Sequence, residues 1–136
     1  MATKSMNVNA YLFFDGQCEA AFTFYEQALG GKITVMMRNG GTPAEGDVPA
    51  DWADKILHAR LELGGTVVMA SDAPPGHYDR PQSFRVSLTL EDAVEAERIF
   101  HALEEMPLEK TFFAERFGML IDRFGTPWMI GCEPQR

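Results

Sequence analysis

Two stretches place residues capable of acid–base or binding chemistry at a spacing of two. In Ile56–Leu63 the polar residues His58, Arg60 and Glu62 alternate with Leu57, Ala59, Leu61 and Leu63. A period of two puts the polar set on one face of a strand. An imidazole is the side chain suited to proton transfer near neutral pH, and here Arg60 is its neighbour on the same face. In the second stretch Ser83, Arg85, Ser87 and Thr89 alternate with Phe84, Val86, Leu88 and Leu90. Arg85 offers a rigid fork of donors suited to a carboxylate, phosphate or enolate oxygen. If these polar faces line a concave sheet, His58 is a candidate catalytic acid/base, and Arg85, Arg60, Glu62 and Ser87 are candidate ligand contacts. The alternative is that they form the wet face of an antiparallel sheet. His58 then satisfies a neighbour across the sheet, and Arg85 pairs with Glu62 or another acid.

Other chemically capable residues carry weaker readings. Trp52 sits in an acidic loop and is a candidate flap residue covering a ligand. His77 and Tyr78 occupy a proline-rich stretch within reach of a cleft or partner, while His101 reads as solvated on an outer helix. Cys18 lies on an apolar helical stripe without a neighbouring His, so it is not a nucleophile candidate. The run Gly40-Gly41-Thr42-Pro43 does not follow a strand and open a helix as a phosphate cradle does.

The elements that must position these residues follow from periodicity. Asn7–Phe14 reads as a strand, ended by Asp15-Gly16. Over Gln17–Leu29 the apolar residues Cys18, Phe22, Tyr25 and Leu29 recur at helical spacing, and Gly30-Gly31 stops the helix. Ile33–Met37 is a short strand. Asn39–Asp54, broken by Gly41, Pro43, Gly46 and Pro49, reads as a loop or flap, mobile unless something binds it. Ile56–Leu63 and Thr66–Ala70 form a hairpin over Gly64-Gly65. The second half repeats this order, with a strand at Ser83–Leu90 and a helix at Glu91–Glu105. Strands follow at Leu108–Phe113, Phe117–Asp122 and Trp128–Cys132. Strand-helix-strand-strand-strand, twice, implies two modules sharing one sheet. Their bounds within a single domain spanning 1–136 are about 6–72 and 83–133, with a linker at about 73–82.

The 136 residues, 46% hydrophobic and 24% charged, suit a soluble globular domain with a core large enough to need no staples. Twenty acids against 12 Lys and Arg give a net charge of −8, which argues against nucleic acid or an anionic membrane as partner. No apolar run approaches the roughly 18 residues that span a bilayer. The start, Met1 to Met6, has no apolar signal core, so a cytoplasmic address is the expectation. Two cysteines exclude a disulfide framework or a cysteine-rich metal site. Many acids lie on the loop (Glu45, Asp47, Asp51, Asp54) and on the second helix, so a cleft carrying His58, Arg60 and Arg85 against Glu62 is locally neutral or positive.

Four blocks in order resemble a known family. They are Tyr11-Leu12-Phe13-Phe14-Asp15-Gly16 with Phe24-Tyr25-Glu26-Gln27-Ala28-Leu29-Gly30-Gly31, then Leu57–Gly65, then Phe117-Gly118, then Asp122-Arg123-Phe124-Gly125-Thr126-Pro127-Trp128. Together they resemble the PhnB-like branch of the vicinal oxygen chelate superfamily, which includes glyoxalase I, bleomycin-resistance proteins and extradiol dioxygenases. The resemblance spans about Asn7 to Cys132. It implies an α+β fold of two βαβββ modules, whose eight strands form a curved mixed or antiparallel sheet around a cleft with helices outside. It also implies a homodimer. Metal-dependent members hold a divalent ion through residues whose positions fall here on Ala10, His58, Arg85 and Met129. Ala10 has no donor, Arg85 repels a cation and the Met129 thioether suits a hard ion poorly. The expectation is therefore no metal and no cofactor, with Met129 lining a ligand site; a one-residue slip offers Asn9, Ser87 or Glu133 instead. The implied function is binding of a small molecule, with enzyme or binder left open. One form is a lyase or isomerase acting on a small oxygenated substrate with the usual metal site lost. The others are non-catalytic sequestration of a compound, or a metal-dependent lyase or dioxygenase with ligands elsewhere. A methyltransferase, a label some relatives carry, would need a Gly-rich strand-turn-helix for S-adenosylmethionine, which the sequence lacks.

Overall fold

Alternating and helical periodicities resolve into seven strands and two α-helices in a computed structural model that describes residues 5–104 and 116–133. The chain divides into two compact units, the first ending at Tyr78 and the second beginning at Asp79.

In the first unit β1 (Ala10–Phe14), α1 (Cys18–Leu29), β2 (Lys32–Arg38), β3 (Ile56–Leu63) and β4 (Thr66–Asp72) form a four-stranded sheet of order β1-β4-β3-β2. The first strand pairs parallel with the last, and the other pairs are antiparallel. The apolar stripe of α1 (Cys18, Ala21, Phe22, Tyr25, Ala28) is buried, as are Leu12, Phe14, Ala59, Leu61 and Ala70. Strand alternation thus sends one set of side chains to the core and leaves Tyr11, Phe13, His58 and Arg60 on the other face.

The alternation of β3 is cleaner in sequence than in the fold. Met37 pairs with His58 but Arg38 pairs with Ile56, so Leu57 is the extra residue of a β-bulge and is only half-buried. Ile56 takes the core position instead, 1% exposed. The expected helix stop divides into two roles. Gly30 adopts a left-handed conformation (φ 74°) and closes α1 through its amide to the Glu26 carbonyl at 3.1 Å. Gly31 sits against β3, where a side chain would meet Leu63 and stand 2.7 Å from the Glu62 carbonyl.

The stretch Asn39–Asp54, expected as a loop or flap, is a loop with two short 3-10 turns, Pro43–Asp47 and Ala50–Trp52, tied by hydrogen bonds. Buried Asn39 holds it: its side-chain amide donates to the Trp52 carbonyl, its backbone amide to the Lys55 carbonyl, and its own carbonyl accepts from the Thr42 hydroxyl. The Arg38 guanidinium donates to the Asp54 carbonyl. Composition signals the turns, but it cannot signal hydrogen bonds closed across 13 residues.

The second unit repeats the plan. Here β5 (Val86–Leu90), α2 (Ala93–Leu103), β6 (Arg116–Ile121) and β7 (Pro127–Cys132) form a sheet of order β5-β7-β6, again with the first strand parallel to the last. Asp92 caps α2, its carboxylate accepting from the amides of Val94 and Glu95. Trp128, Ile130, Leu120 and Phe100 form the core. The strand expected at Leu108–Phe113 lies outside the described residues. The described strands are hydrogen-bonded as one sheet of four and one of three, so the expected single sheet of eight is corrected to that extent. The strand expected from Ser83 begins only at Val86. Ser83 has a positive φ of 66°, which breaks the extended run, and Phe84 is 51% exposed where a core position was expected.

Candidate functional site

The concave feature formed by the second unit lies on the face of its sheet opposite α2. Strand register explains its floor: Met119 pairs with Met129, and Ile121 with Pro127. Trp128, Leu120 and Ile130 point to the core, so alternation turns Met119, Ile121 and Met129 the other way. The segment ahead of β5 supplies the wall, with Arg80, Gln82, Phe84 and Arg85. Together these residues line a concavity of about 630 Å³. Among the described residues its lining contains two arginines and no Asp or Glu, in a chain whose net charge is −8.

Arg85 is held by the main chain. Its Nη1 donates to the carbonyls of Leu120 at 3.0 Å and Trp128 at 3.3 Å. The carboxylate partner weighed for it in the sequence is absent among the described residues, and Glu62 pairs instead with Arg60 on its own strand, 3.6 Å away. The turn below the concavity is rigid. Asp122, 2% exposed, accepts from the amides of Phe124 (2.8 Å) and Thr126 (3.1 Å) and from the Trp128 indole N–H (2.8 Å).

On the first unit, the open face of β3 gathers the other candidates. His58 Nδ1 and the Tyr11 hydroxyl share a hydrogen bond of 3.3 Å, and the two rings stack with centroids 5.8 Å apart. Tyr11, Phe13 and Met37 are exposed around them. The buried Nε of Arg60 is the atom that faces Glu62 at 3.6 Å, beyond hydrogen-bond length, and it has no hydrogen-bond partner among the described residues. Cys18, buried at the start of α1, has its thiol pushed far up by desolvation and then by neighbouring Asp72 and Glu19, which keeps it protonated and unreactive.

The expected site residues therefore fall into two groups. Arg85 and Met129 line the concavity of the second unit; His58, Arg60 and Glu62 share the open face of the first. Ser87 is exposed on β5 beside Met129 in register but is not part of the lining. Trp52 is half-buried in the pinned loop, and its carbonyl is engaged by Asn39. Arg80, Gln82, Phe84, Met119 and Ile121 were missed as lining residues. Met119 was legible, since it stands as far before the Arg123–Gly125 turn as Met129 stands after it.

The residues present do not fit the metal of the superfamily's enzymes. Of its four positions, Ala10 offers no donor, Arg85 is a cation hydrogen-bonded to backbone, and Met129 is a thioether on an apolar floor. Among the described residues no three His, Cys, Asp or Glu side chains come together as a metal-holding group.

Comparison with known proteins places this geometry. The chain is 30% identical to Protein YjdN of Escherichia coli (strain K12), over 96% of this chain and 98% of that one. The solved structure of protein PA1353 from Pseudomonas aeruginosa is 44% identical, with a TM-score of 0.86 over 96% of this chain and 100% of that one. At 24% identity, the PhnB protein from Bacillus cereus shares the fold with a TM-score of 0.73, over 93% and 99% of the two chains. A glyoxylase/bleomycin resistance protein/dioxygenase domain from Frankia sp. EAN1pec, 16% identical, shares it at 0.60 over the whole of both. The profile of the family described as 3-demethylubiquinone-9 3-methyltransferase matches residues 6–131. With that profile matched over residues 6–131, the chain belongs to the family described as 3-demethylubiquinone-9 3-methyltransferase, and it shares the fold of the glyoxylase/bleomycin resistance protein/dioxygenase domain.

Proposed function

We propose that the protein binds a small amphipathic molecule in the concavity of its second unit, without the superfamily's divalent metal. The observation that carries this reading is the lining itself, in which an apolar floor of Met119, Ile121 and Met129 meets Arg85 and Arg80 with no acid among the described lining residues. Ligand sites combine an apolar bulk with a few fixed polar groups, and thioether side chains adapt to varied shapes. Among the described residues the lining holds no His, Cys, Lys, Tyr or carboxylate, and what these residues supply is recognition.

The family description names a methyltransferase, but the residues do not fit a methyl-donor site. In the passage from β1 into α1 only Gly16 is glycine. The Lys55 side chain lies over it, with Nζ donating to the Gly16 carbonyl at 3.1 Å. A turn filled in this way leaves no backbone cradle for a nucleoside. Proton transfer at His58 is a second reading, favoured by the Tyr11 hydroxyl that orients its ring. The proposal extends to a cytoplasmic homodimer in which a second copy covers exposed Tyr11, Phe13 and Met37; a monomer mass by light scattering would overturn the dimer.

The binding reading is tested by NMR with methyl-labelled methionine. Aromatic and aliphatic fragments titrated into the full chain shift the Met119 and Met129 signals and leave Met6 unmoved. Met129→Trp, which fills the floor, abolishes the response. A fragment panel that moves neither signal, or moves Met119 equally in the Trp variant, overturns it.

A further inference from the structure

Resting on that binding reading, we propose that the ligand of this concavity is a carboxylate carried on an aromatic or aliphatic body. Arg85 decides the head group. Its Nη1 is committed to two main-chain carbonyls, those of Leu120 on β6 and Trp128 on β7. The guanidinium plane is thus set by the sheet and not by an acidic side chain. Nε and Nη2 have no protein acceptor among the described residues. Those two nitrogens form the edge that donates in parallel to both oxygens of a carboxylate. A guanidinium anchored on one side and open on the other pays little entropy to present that edge, because the plane is oriented before a ligand arrives.

The body of the ligand follows from what surrounds the fork. Met119 and Met129 lie opposite one another in register, and Ile121 and Phe84 continue the apolar surface. One fixed fork beside such a surface balances a single negative charge. A phosphate monoester carries nearly two, and its second charge would lie against apolar side chains in a chain of net charge −8. Exposed Arg80 stands at the rim as a steering charge.

Calorimetric titration of the full chain with 2-naphthoate, 2-naphthamide and 2-naphthyl phosphate tests this. The three share one apolar body and differ only in head group. The expected order has 2-naphthoate binding at least about tenfold more tightly than the amide, and the phosphate no more tightly than 2-naphthoate. Arg85→Lys keeps the charge and reaches the carbonyls but has no fork. It lowers 2-naphthoate affinity at least about fivefold and leaves the amide within about twofold. Arg80→Gln, at an exposed position without a hydrogen bond or ion pair among the described residues, lowers 2-naphthoate affinity about two- to threefold and flattens its salt dependence. Equal binding of carboxylate and amide, or an unchanged Arg85→Lys, overturns the inference while the binding reading stands. Tighter phosphate binding overturns the carboxylate assignment. If none of the three binds and the Met119 and Met129 methyl signals stay still, the binding reading itself fails.

Discussion

Asp122 shows how a single buried carboxylate sets the geometry beneath the candidate site. It ends β6, accepts two amides of the turn and holds the Trp128 indole N–H at 2.8 Å. Trp128 in turn offers its carbonyl to Arg85, so the carboxylate acts on the Arg85 anchor through that one residue. Asn in its place keeps one acceptor oxygen but turns an NH₂ toward an N–H, leaving at least one buried donor without a partner. Asp122→Asn is expected to cost about 1–3 kcal/mol, and Asp122→Ala more, because it strands all three donors and opens a void. Urea unfolding followed by Trp fluorescence measures this. A loss below about 0.5 kcal/mol would show that the cluster does not hold the turn.

At the scale of elements, α1 is tied down by residues outside it. Gln17 at its N-cap makes no side-chain cap. Asp72, at the far end of β4, instead accepts from the Cys18 amide through one oxygen and from the Ile56 amide through the other, both at 2.9 Å. One carboxylate therefore joins the start of α1, the start of β3 and the end of β4. The first turn is also linked to β2, where the Arg38 guanidinium donates to both oxygens of Glu19. That hydrogen bond, with the Arg38 charge adding to it, holds the Glu19 carboxyl below its usual range. A depressed carboxyl contributes stability that is complete above its unfolded-state value and is lost as pH falls through the folded one. Glu19→Gln should therefore lower Tm slightly at pH 6, the pair being exposed, with the difference from wild type vanishing near pH 3. A difference that persists in acid would assign it to packing instead.

These ties mark the boundary of what the sequence discloses. Both helices, the Gly64-Gly65 hairpin and the open placement of His58, Arg60 and Met129 follow from periods of 3.6 and 2, which are local. The roles of Asp72, Asn39 and Asp122 depend on partners brought near by folding, and no local pattern carries them. Phe84 misled because an apolar residue at an alternating position reads as core. It is the positive φ of Ser83 that interrupts the strand there. Arg80 and Gln82 were passed over because a linker composition says nothing about which wall the linker builds.

For the whole molecule, the two free cysteines provide one reporter for each unit. Cys18 is buried under α1 in the first, and Cys132 is buried on β7 in the second, where its thiol donates to the Glu91 carbonyl at 3.2 Å. Neither thiol can meet a reagent without opening of the structure around it, so labelling by an aromatic disulfide at pH 8 should be slow in the native protein. Each unit has its own core and its own sheet, so opening is expected to be local. Gly31→Ala forces a methyl group against the Glu62 carbonyl and Leu63, a strain of about 1–3 kcal/mol confined to the first unit. It should speed labelling of Cys18 by about tenfold for each 1.4 kcal/mol lost, leaving Cys132 near its original rate. Asp122→Asn should do the reverse. Peptide mass spectrometry of the labelled chain separates the two sites. If each variant accelerates both thiols equally, the units open together as one cooperative body, and the strand-helix repeat describes their topology but not their stability.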